Sequence, residues 1–168
     1  MIAHSLSRGF VGVFSFPHPV NEVAARMVAG MVVLLSLTII VVDIPWLLFV
    51  LVYGFLARVL TGPTLSPMGL LATRVLVPLL GNPARPVAGP PKRFAQTIGL
   101  GFSTVSVVLF YAFGLTQAAY GVLGVLLAFA TLESVLGFCA GCFVFGYLMR
   151  WGFVPAETCE KCNNLSLG

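Results

Sequence analysis

The stretch 94–132 contains no aspartate, glutamate, lysine or arginine, and most of its side chains are apolar. A membrane-crossing helix needs about 20 predominantly apolar residues, so this stretch is long enough for one complete crossing and the start of a second. Over the whole chain only 8% of residues are charged and 59% are hydrophobic, whereas about 25% of residues are charged in soluble domains. These features predict an all-α integral membrane protein and exclude a water-soluble globule.

Four apolar stretches predict a four-helix bundle of membrane-spanning helices. The expected spans are residues 22–42, 45–60, 94–114 and 118–149. Asn21 is a suitable N-cap for the first span, and Pro45 can open the second. The fourth stretch exceeds the length of a straight crossing, so we expect tilt, a protruding end or a break. The spans define a membrane domain, residues 1–150, followed by a cytosolic cysteine-containing tail, residues 151–168.

The region between the second and third spans contains repeated prolines and cannot cross a membrane. Within it, the mostly apolar segment 68–77 predicts a short interfacial or re-entrant helix, and residues 82–91 predict a proline-rich loop without helix. Arg26 and Arg58 lie inside predicted spans of limited length. We expect both side chains to extend towards the lipid headgroups.

The distribution of positive charge predicts the topology. Four crossings place both termini and the central connector on one side, together with every cation: Arg8, Arg26, Arg58, Arg74, Arg85, Lys92, Arg93, Arg150 and Lys161. The positive-inside rule then assigns this side to the cytoplasm of a multi-pass protein of the inner (plasma) membrane. The N-terminus lacks a convincing signal peptide. Cations scattered in ones and twos do not form the basic face that nucleic-acid binding requires.

Four cysteines form two closely spaced pairs, Cys139/Cys142 and Cys159/Cys162. Two C-x2-C pairs are typical of a structural zinc site with four thiolate ligands, but they also suit two dithiol redox centres. The predicted topology places both pairs on the reducing side of the membrane, which argues against permanent structural disulfides. Because an apolar setting raises the pKa of a thiol, the environment of the first pair favours metal binding over a free nucleophile.

The residues around the first pair lead to further expectations if the fourth span is one regular helix. Cys139 and Cys142 then share a face, and Gly137 and Gly141 form a small face suited to close helix contact. Glu133, an intramembrane carboxyl and therefore a candidate functional residue, then points away from both thiols, and we interpret it as a structural residue that points into the bundle, hydrogen-bonded or protonated. A break at Gly137 or Gly141 would restore a catalytic role for Glu133. His4 and His18 have no third metal ligand nearby, and we interpret them as surface residues.

Several short motifs together resemble a family of small bacterial membrane proteins, domain of unknown function 4395. The resemblance rests on residues 16–22 with Arg26, Gly54-Phe55 with Arg58, Gly62-Pro63 with Ser66-Pro67, residues 92–96, Leu132-Glu133, and Phe138-Cys139-Ala140-Gly141-Cys142 with the Cys159/Cys162 tail. It implies a four-span architecture and draws attention to the cysteine pairs. It implies no particular reaction.

Two hypotheses about function remain open at this point. In the first, the protein is a membrane thiol relay in which Cys139 and Cys142 exchange with a disulfide or carry sulfane sulfur. Cys159 and Cys162 then pass the equivalents to a cytosolic thioredoxin-like or rhodanese-like partner. In the second, the four cysteines bind one zinc ion and the protein is a scaffold without enzymatic activity. A small transporter that uses Glu133 and Arg58 is a third interpretation.

Overall fold

The computed structural model describes residues 19–83 and 85–152. Our predictions for His4, His18, Cys159 and Cys162 therefore lie outside the described residues. Within the described ranges the chain is almost entirely helical. This confirms the predicted all-α class.

Six helices and one pair of very short strands make up the described part of the chain. In chain order they are β1 (Val20–Asn21), α1 (Glu22–Val42), α2 (Leu47–Thr61), α3 (Pro67–Leu79), β2 (Pro86–Val87), α4 (Gly89–Tyr111), α5 (Thr116–Leu136) and α6 (Ala140–Arg150). Of these helices, α1, α4 and α5 are long and apolar enough to cross a membrane.

Local sequence signals determine both ends of α1. The side chain of Asn21 accepts a hydrogen bond from the backbone N–H of Val23, as predicted for an N-cap. At the other end Asp43 adopts the left-handed conformation, which ends the helix and starts the turn into α2. The helix therefore has the predicted bounds, 22–42.

The four longer helices pack in a closed ring. Helix α1 packs against α5, α5 against α4, α4 against α2, and α2 against α1. Their shared core consists of Val32, Ile39, Leu48, Leu51, Phe55, Leu123, Leu126 and Ala130. Large apolar side chains on the outside remain exposed, for example Leu34, Val41 and Phe113. An apolar exterior of this kind is expected for helices that face lipid.

The connector between α2 and α4 packs against the start of α1. Helix α3 confirms the short helix predicted for 68–77; its Ala72 and Val77 bury themselves against Ala24 and Val28 of α1. Its middle turn, Ala72–Leu76, is a π-helix.

The prediction for residues 82–91 was wrong at its C-terminal end. Strand β2 pairs antiparallel with β1, and α4 begins at Gly89 rather than at 94. Pro90 and Pro91 occupy the first turn of α4. Backbone N–H groups in a first turn have no acceptor within the helix, so the absence of this group in proline costs no hydrogen bond there.

The predicted fourth span is not one helix. Helix α5 ends at Leu136 because Gly137 adopts a left-handed conformation with φ of 71°. The N–H of Gly137 then donates to the carbonyl of Glu133, and the N–H of Phe138 donates to that of Leu132. A separate helix, α6, starts at Ala140 and packs against α4. Of the three outcomes expected for this long stretch, a break is the one observed.

Candidate functional site

Three charged side chains converge inside the bundle near the starts of α1 and α4 and the ends of α2 and α5. Arg58 of α2 is only 4% exposed and Lys92 of α4 only 7% exposed, and the Glu133 side chain of α5 is 14% exposed. The expectation that Arg58 extends to the headgroups was therefore wrong. Its guanidinium instead points into the protein, where it donates hydrogen bonds to polar side chains of neighbouring segments.

The Arg58 guanidinium is fixed by contacts on two of its three nitrogens. Nε donates to Oε1 of Gln96 at 2.8 Å, and Nη1 donates to the hydroxyl of Ser66 at 3.3 Å. The guanidinium also lies over the ring of Phe55, with Cζ 4.5 Å from the ring centroid. The third nitrogen, Nη2, is buried and has no hydrogen-bond partner among the described residues.

Lys92 and Glu133 form a buried ion pair. Nζ of Lys92 lies 2.7 Å from Oε1 of Glu133. Glu133 also interacts electrostatically with Arg58, so one carboxylate faces two cations. If no further group is ionised, the cluster of Arg58, Lys92 and Glu133 carries a net positive charge. An excess of buried charge is costly and favours an additional anion nearby.

Cys139 and Cys142 lie beside this cluster at the N-terminus of α6. They do not share a helix face as predicted, because Cys139 precedes the helix and acts as its N-cap. The Cys139 sulfur accepts a hydrogen bond from the backbone N–H of Cys142 at 3.4 Å. Cys139 is buried and Cys142 is half-buried, and neither forms a disulfide. A helix N-terminus stabilises negative charge, so the position favours a thiolate at Cys139.

The two thiols differ in acidity, and both lie outside the three helices that are long enough to cross a membrane. A hydrogen bond from the Cys142 thiol lowers the pKa of Cys139 and outweighs burial and the Glu133 carboxylate, which raise it; the positive charge of Lys92 and the backbone N–H of Cys142 lower it further. The same hydrogen bond to Cys139, together with burial, raises the pKa of Cys142. We had expected the apolar setting to raise the pKa of both thiols. That expectation was wrong for Cys139 because the hydrogen bond from Cys142 outweighs desolvation.

Glu133 and Cys139 meet at one cavity, contrary to the prediction that Glu133 points away from the thiols. That prediction required a regular helix, and the break at Gly137 removes the angular relation between the two residues. A cavity of about 250 Å³ is lined by Arg58, Glu133 and Cys139 and by mostly apolar residues. Cys139 also lines an open groove of about 340 Å³ together with Lys92 and Cys142. Cys139 thus forms part of the wall of both spaces.

The two glycines next to the cysteines have separate roles. A Cβ at Gly141 would lie 2.6 Å from the Cα and Cβ atoms of Ala95, so Gly141 permits the predicted close contact, here with α4. Gly137 does not form part of that contact, because it is the left-handed cap of α5. Arg26 donates to the carbonyls of Ser134 and Val135 at the end of α5, at 3.3 and 2.8 Å, and its extension towards the headgroups stays a prediction.

Comparison with known proteins identifies a family. Residues 20–150 match the family model described as Domain of unknown function (DUF4395). The chain belongs to this family. No curated protein and no solved structure matches the chain.

In this DUF4395 protein, the described residues contain no group of three or more histidine, cysteine, aspartate or glutamate side chains placed to hold a metal ion. Under the zinc hypothesis, Cys139 and Cys142 would supply two of the four ligands that a structural zinc site requires. The other two predicted ligands, Cys159 and Cys162, lie outside the described residues.

The sequence did not assign a role in the site to Lys92 or to Gln96, the hydrogen-bond partner of Arg58. Both residues belong to the motif 92–96, and Lys92 was also predicted to be one of the cytoplasmic cations. A signal was present: polar or small residues recur on one face of α4, at Lys92, Gln96, Gly99, Ser103 and Ser106. Four of these five are buried. Spacing by three and four residues places these side chains on one face of α4, and this polar face points into the bundle.

Proposed function

We propose that this protein is a membrane thiol relay in which Cys139 is the attacking thiolate and Cys142 the resolving thiol. The observation that carries the proposal is the position of Cys139: its sulfur caps α6, accepts the N–H of Cys142, and lies beside the cation of Lys92. Each of these features stabilises a thiolate. A thiolate at Cys139 would also balance the charge of Arg58, Lys92 and Glu133.

The exchange step follows from the unequal acidity of the two thiols. The Cys139 thiolate attacks one sulfur of a partner disulfide, forms a mixed disulfide and releases the partner's first thiolate. Cys142 then loses its proton and attacks the Cys139 sulfur, which releases the partner's second thiolate and leaves a Cys139–Cys142 disulfide. The partner has gained two electrons and the relay has lost two.

The relay needs a second dithiol to return to its starting state. We assign this part to Cys159 and Cys162, which would exchange with a cytosolic thioredoxin-like or rhodanese-like partner. With a sulfur donor instead of a disulfide, the Cys139 thiolate would accept sulfane sulfur as a persulfide by the same kind of attack. Cys142 could then release that sulfur as sulfide while forming a disulfide with Cys139.

The proposed location is the cytoplasmic leaflet of the inner membrane, with four crossings and both termini in the cytoplasm. Six of the seven described cations support this topology: Arg26, Arg58, Arg74, Arg85, Lys92 and Arg93 belong to the end of the bundle that holds Cys139, and the seventh, Arg150, is the last residue of α6. The turns at the other end hold Asp43 and no cation. The positive-inside rule places the cationic end in the cytoplasm.

Labelling of single cysteines tests this topology. In a protein whose four native cysteines are replaced by serine, we would introduce Phe113→Cys at the α4–α5 turn and Leu79→Cys in the connector, both at exposed positions. A membrane-impermeant maleimide added to intact cells should label position 113 and not position 79. Labelling of position 79 alone would reverse the orientation and place the thiols in an oxidising compartment.

The competing hypothesis is a scaffold in which the four cysteines bind one zinc ion, and one experiment separates the two. Purified protein would be assayed for metal content and for dithiol–disulfide exchange with thioredoxin. Metal-free protein whose Cys139/Cys142 pair exchanges with thioredoxin supports the relay. Roughly one zinc per chain, lost when any of the four cysteines becomes serine, would support the scaffold and overturn the relay.

A further inference from the structure

We propose that the cavity beside Cys139 binds the ring of a membrane quinone, which accepts the two electrons of the Cys139/Cys142 dithiol. This inference rests on the proposed thiol relay and names its electron acceptor by chemical class. Three observations carry it: the shape and lining of the cavity, an unused donor on Arg58, and the place of Cys139 in the cavity wall.

The cavity suits a flat apolar ring. Its volume is about 250 Å³, and three aromatic rings, those of Phe55, Phe102 and Phe129, contribute to its walls. A cavity of about 150 Å³ lined by apolar side chains is sufficient to bind benzene. A ring with several substituents therefore has enough space here, and its faces would contact other rings.

The cavity also offers a polar end that matches a carbonyl oxygen. Arg58 is 4% exposed, lines the cavity, and has a buried Nη2 without a hydrogen-bond partner among the described residues. A buried donor that lacks an acceptor costs about 1–3 kcal/mol, and more when it is charged. Its other nitrogens are held by Gln96 and Ser66, so the guanidinium is fixed and not free to turn elsewhere. A quinone carbonyl would supply the missing acceptor without bringing a new charge into the bundle.

The cavity wall reaches the outer surface of the bundle. Phe129 of α5 and Val144 of α6 both line the cavity, and they are 40% and 45% exposed. A ligand that dissolves in the bilayer can therefore enter between these helices, and an isoprenoid tail can remain among the lipids outside.

Cys139 connects this cavity with the open groove where a protein disulfide or dithiol would bind. The balanced step uses both thiols. Cys139 and Cys142 together lose two electrons and two protons and form a disulfide, and the quinone gains two electrons and two protons and becomes a hydroquinone. The dithiol is oxidised, the quinone is reduced, and no further reactant is needed.

The test uses the full chain, reduced and purified in detergent, and a fully substituted benzoquinone with a short alkyl tail. Full substitution of the ring prevents simple addition of a thiol. When Cys159 and Cys162 are replaced by serine, we expect one hydroquinone per chain, with loss of two free thiols. The chain with all four cysteines should form up to two hydroquinones, because the second dithiol reduces the first, and Cys139→Ser should not react. Exchange with thioredoxin is measured on the same samples.

Two pairs of variants locate the reaction. Val144→Trp fills the cavity, whereas Val125→Trp adds the same ring outside the cavity at a position of nearly the same exposure, 44% against 45% for Val144. Arg58→Lys keeps a positive charge and removes the Nη2 donor, with the exposed Arg74→Lys as its control. At limiting quinone, Arg58→Lys should reduce the rate about tenfold or more, the effect of losing a hydrogen bond to a charged group. Val144→Trp should also reduce the rate strongly, because the indole occupies the space of the quinone ring. The controls should react like the wild type.

The outcomes separate the inference from the proposed function. Quinone reduction that depends on Val144 and Arg58 supports the inference. Thioredoxin exchange without quinone reduction overturns the quinone site and leaves the relay standing. Quinone reduction at equal rates in Val144→Trp and wild type places the reaction in the open groove and also overturns the site. Absence of both reactions overturns the relay and the quinone site together.

Discussion

The two ends of the bundle are built from different chemistry. The thiol end, where α1 and α4 begin and α2 and α5 finish, contains Arg58, Lys92, Glu133 and Cys139 in a buried cluster. The turn end holds the α1–α2 and α4–α5 turns, where aromatic rings such as those of Phe110 and Tyr120 stack. Tyr120 also donates a hydrogen bond to Asp43 there, at the exposed surface.

This contrast indicates what each end is for. The turn end needs only apolar and aromatic packing to connect its helices, and its one carboxylate is accessible to solvent or headgroups. The thiol end keeps charges that a purely structural bundle would exclude, because buried ion pairs contribute little net stability compared with apolar packing. Charges retained at such a cost in a membrane protein are typical of a functional site.

The largest expected effect comes from neutralising one carboxylate at each end. Glu133→Gln removes the only carboxylate from a cluster with two buried cations and leaves Lys92 without its ion-pair partner, and we expect a loss of about 3 kcal/mol or more in stability. Asp43→Asn keeps a residue that tolerates the left-handed conformation and changes an exposed hydrogen bond, so its cost should stay below about 1 kcal/mol. Thermal unfolding of both variants in detergent measures the difference. Equal losses would show that the thiol end holds no special electrostatic cluster.

A glycine at each end gives the second comparison. A Cβ at Gly141 would lie 2.6 Å from backbone and side-chain atoms of Ala95, whereas a Cβ at Gly121 of α5 meets nothing within 4 Å. Gly141→Ala should cost about 1–3 kcal/mol through overpacking. Gly121→Ala should be neutral or stabilising, because alanine favours helix more than glycine does. Unfolding temperatures of the two variants check this, and a neutral Gly141→Ala would contradict the close packing of α6 on α4.

A smaller effect concerns the acidity of Cys139. A thiol reacts as its thiolate, so a lowered pKa moves the pH profile of alkylation to lower pH than that of a free thiol, about 8.5. Replacing Cys142 by alanine removes the hydrogen bond that contributes most to the lowering, and Lys92→Met removes a nearby cation. Both changes should move the midpoint for Cys139 upwards, Cys142→Ala the further of the two. The midpoint is measured from the rate of iodoacetamide labelling; an unchanged midpoint in both variants would refute the proposed electrostatics.

The smallest expected effect is at the entry to α1. Asn21 caps the helix and also donates from Nδ2 to the carbonyl of Pro83 at 2.9 Å. Asn21→Ala should cost about 1 kcal/mol, and Asn21→Asp, which keeps the cap acceptor, should cost less. If both variants unfold at the wild-type temperature, the cap does not help to anchor the connector to α1.

Hydrophobic length and capping residues were sufficient to predict most of the helices. Asn21, the α4–α5 turn and the short helix after Pro67 all carry local signals that act within a few residues. The break at Gly137 was expected only as one of three options, because an isolated glycine within an apolar stretch is compatible with a continuous helix.

The charged cluster could not be predicted in the same way, because it depends on contacts between residues far apart in the chain. Arg58 and Gln96, or Lys92 and Glu133, meet only once four helices have packed. The sequence marked Glu133 and the cysteines by residue type. It missed the role of Lys92 because the charge pattern identifies the side of the membrane on which a cation lies and not its partner inside the bundle.

Trapping of a mixed disulfide tests the central claim most directly, that Cys139 attacks and Cys142 resolves. Membranes carrying Cys142→Ser or Cys139→Ser would be incubated with an oxidised dithiol protein, quenched with acid and separated without reductant. We predict a mixed disulfide through Cys139 that accumulates in Cys142→Ser and is absent or much weaker in Cys139→Ser. Equal trapping through both cysteines, or none through either, would contradict the account.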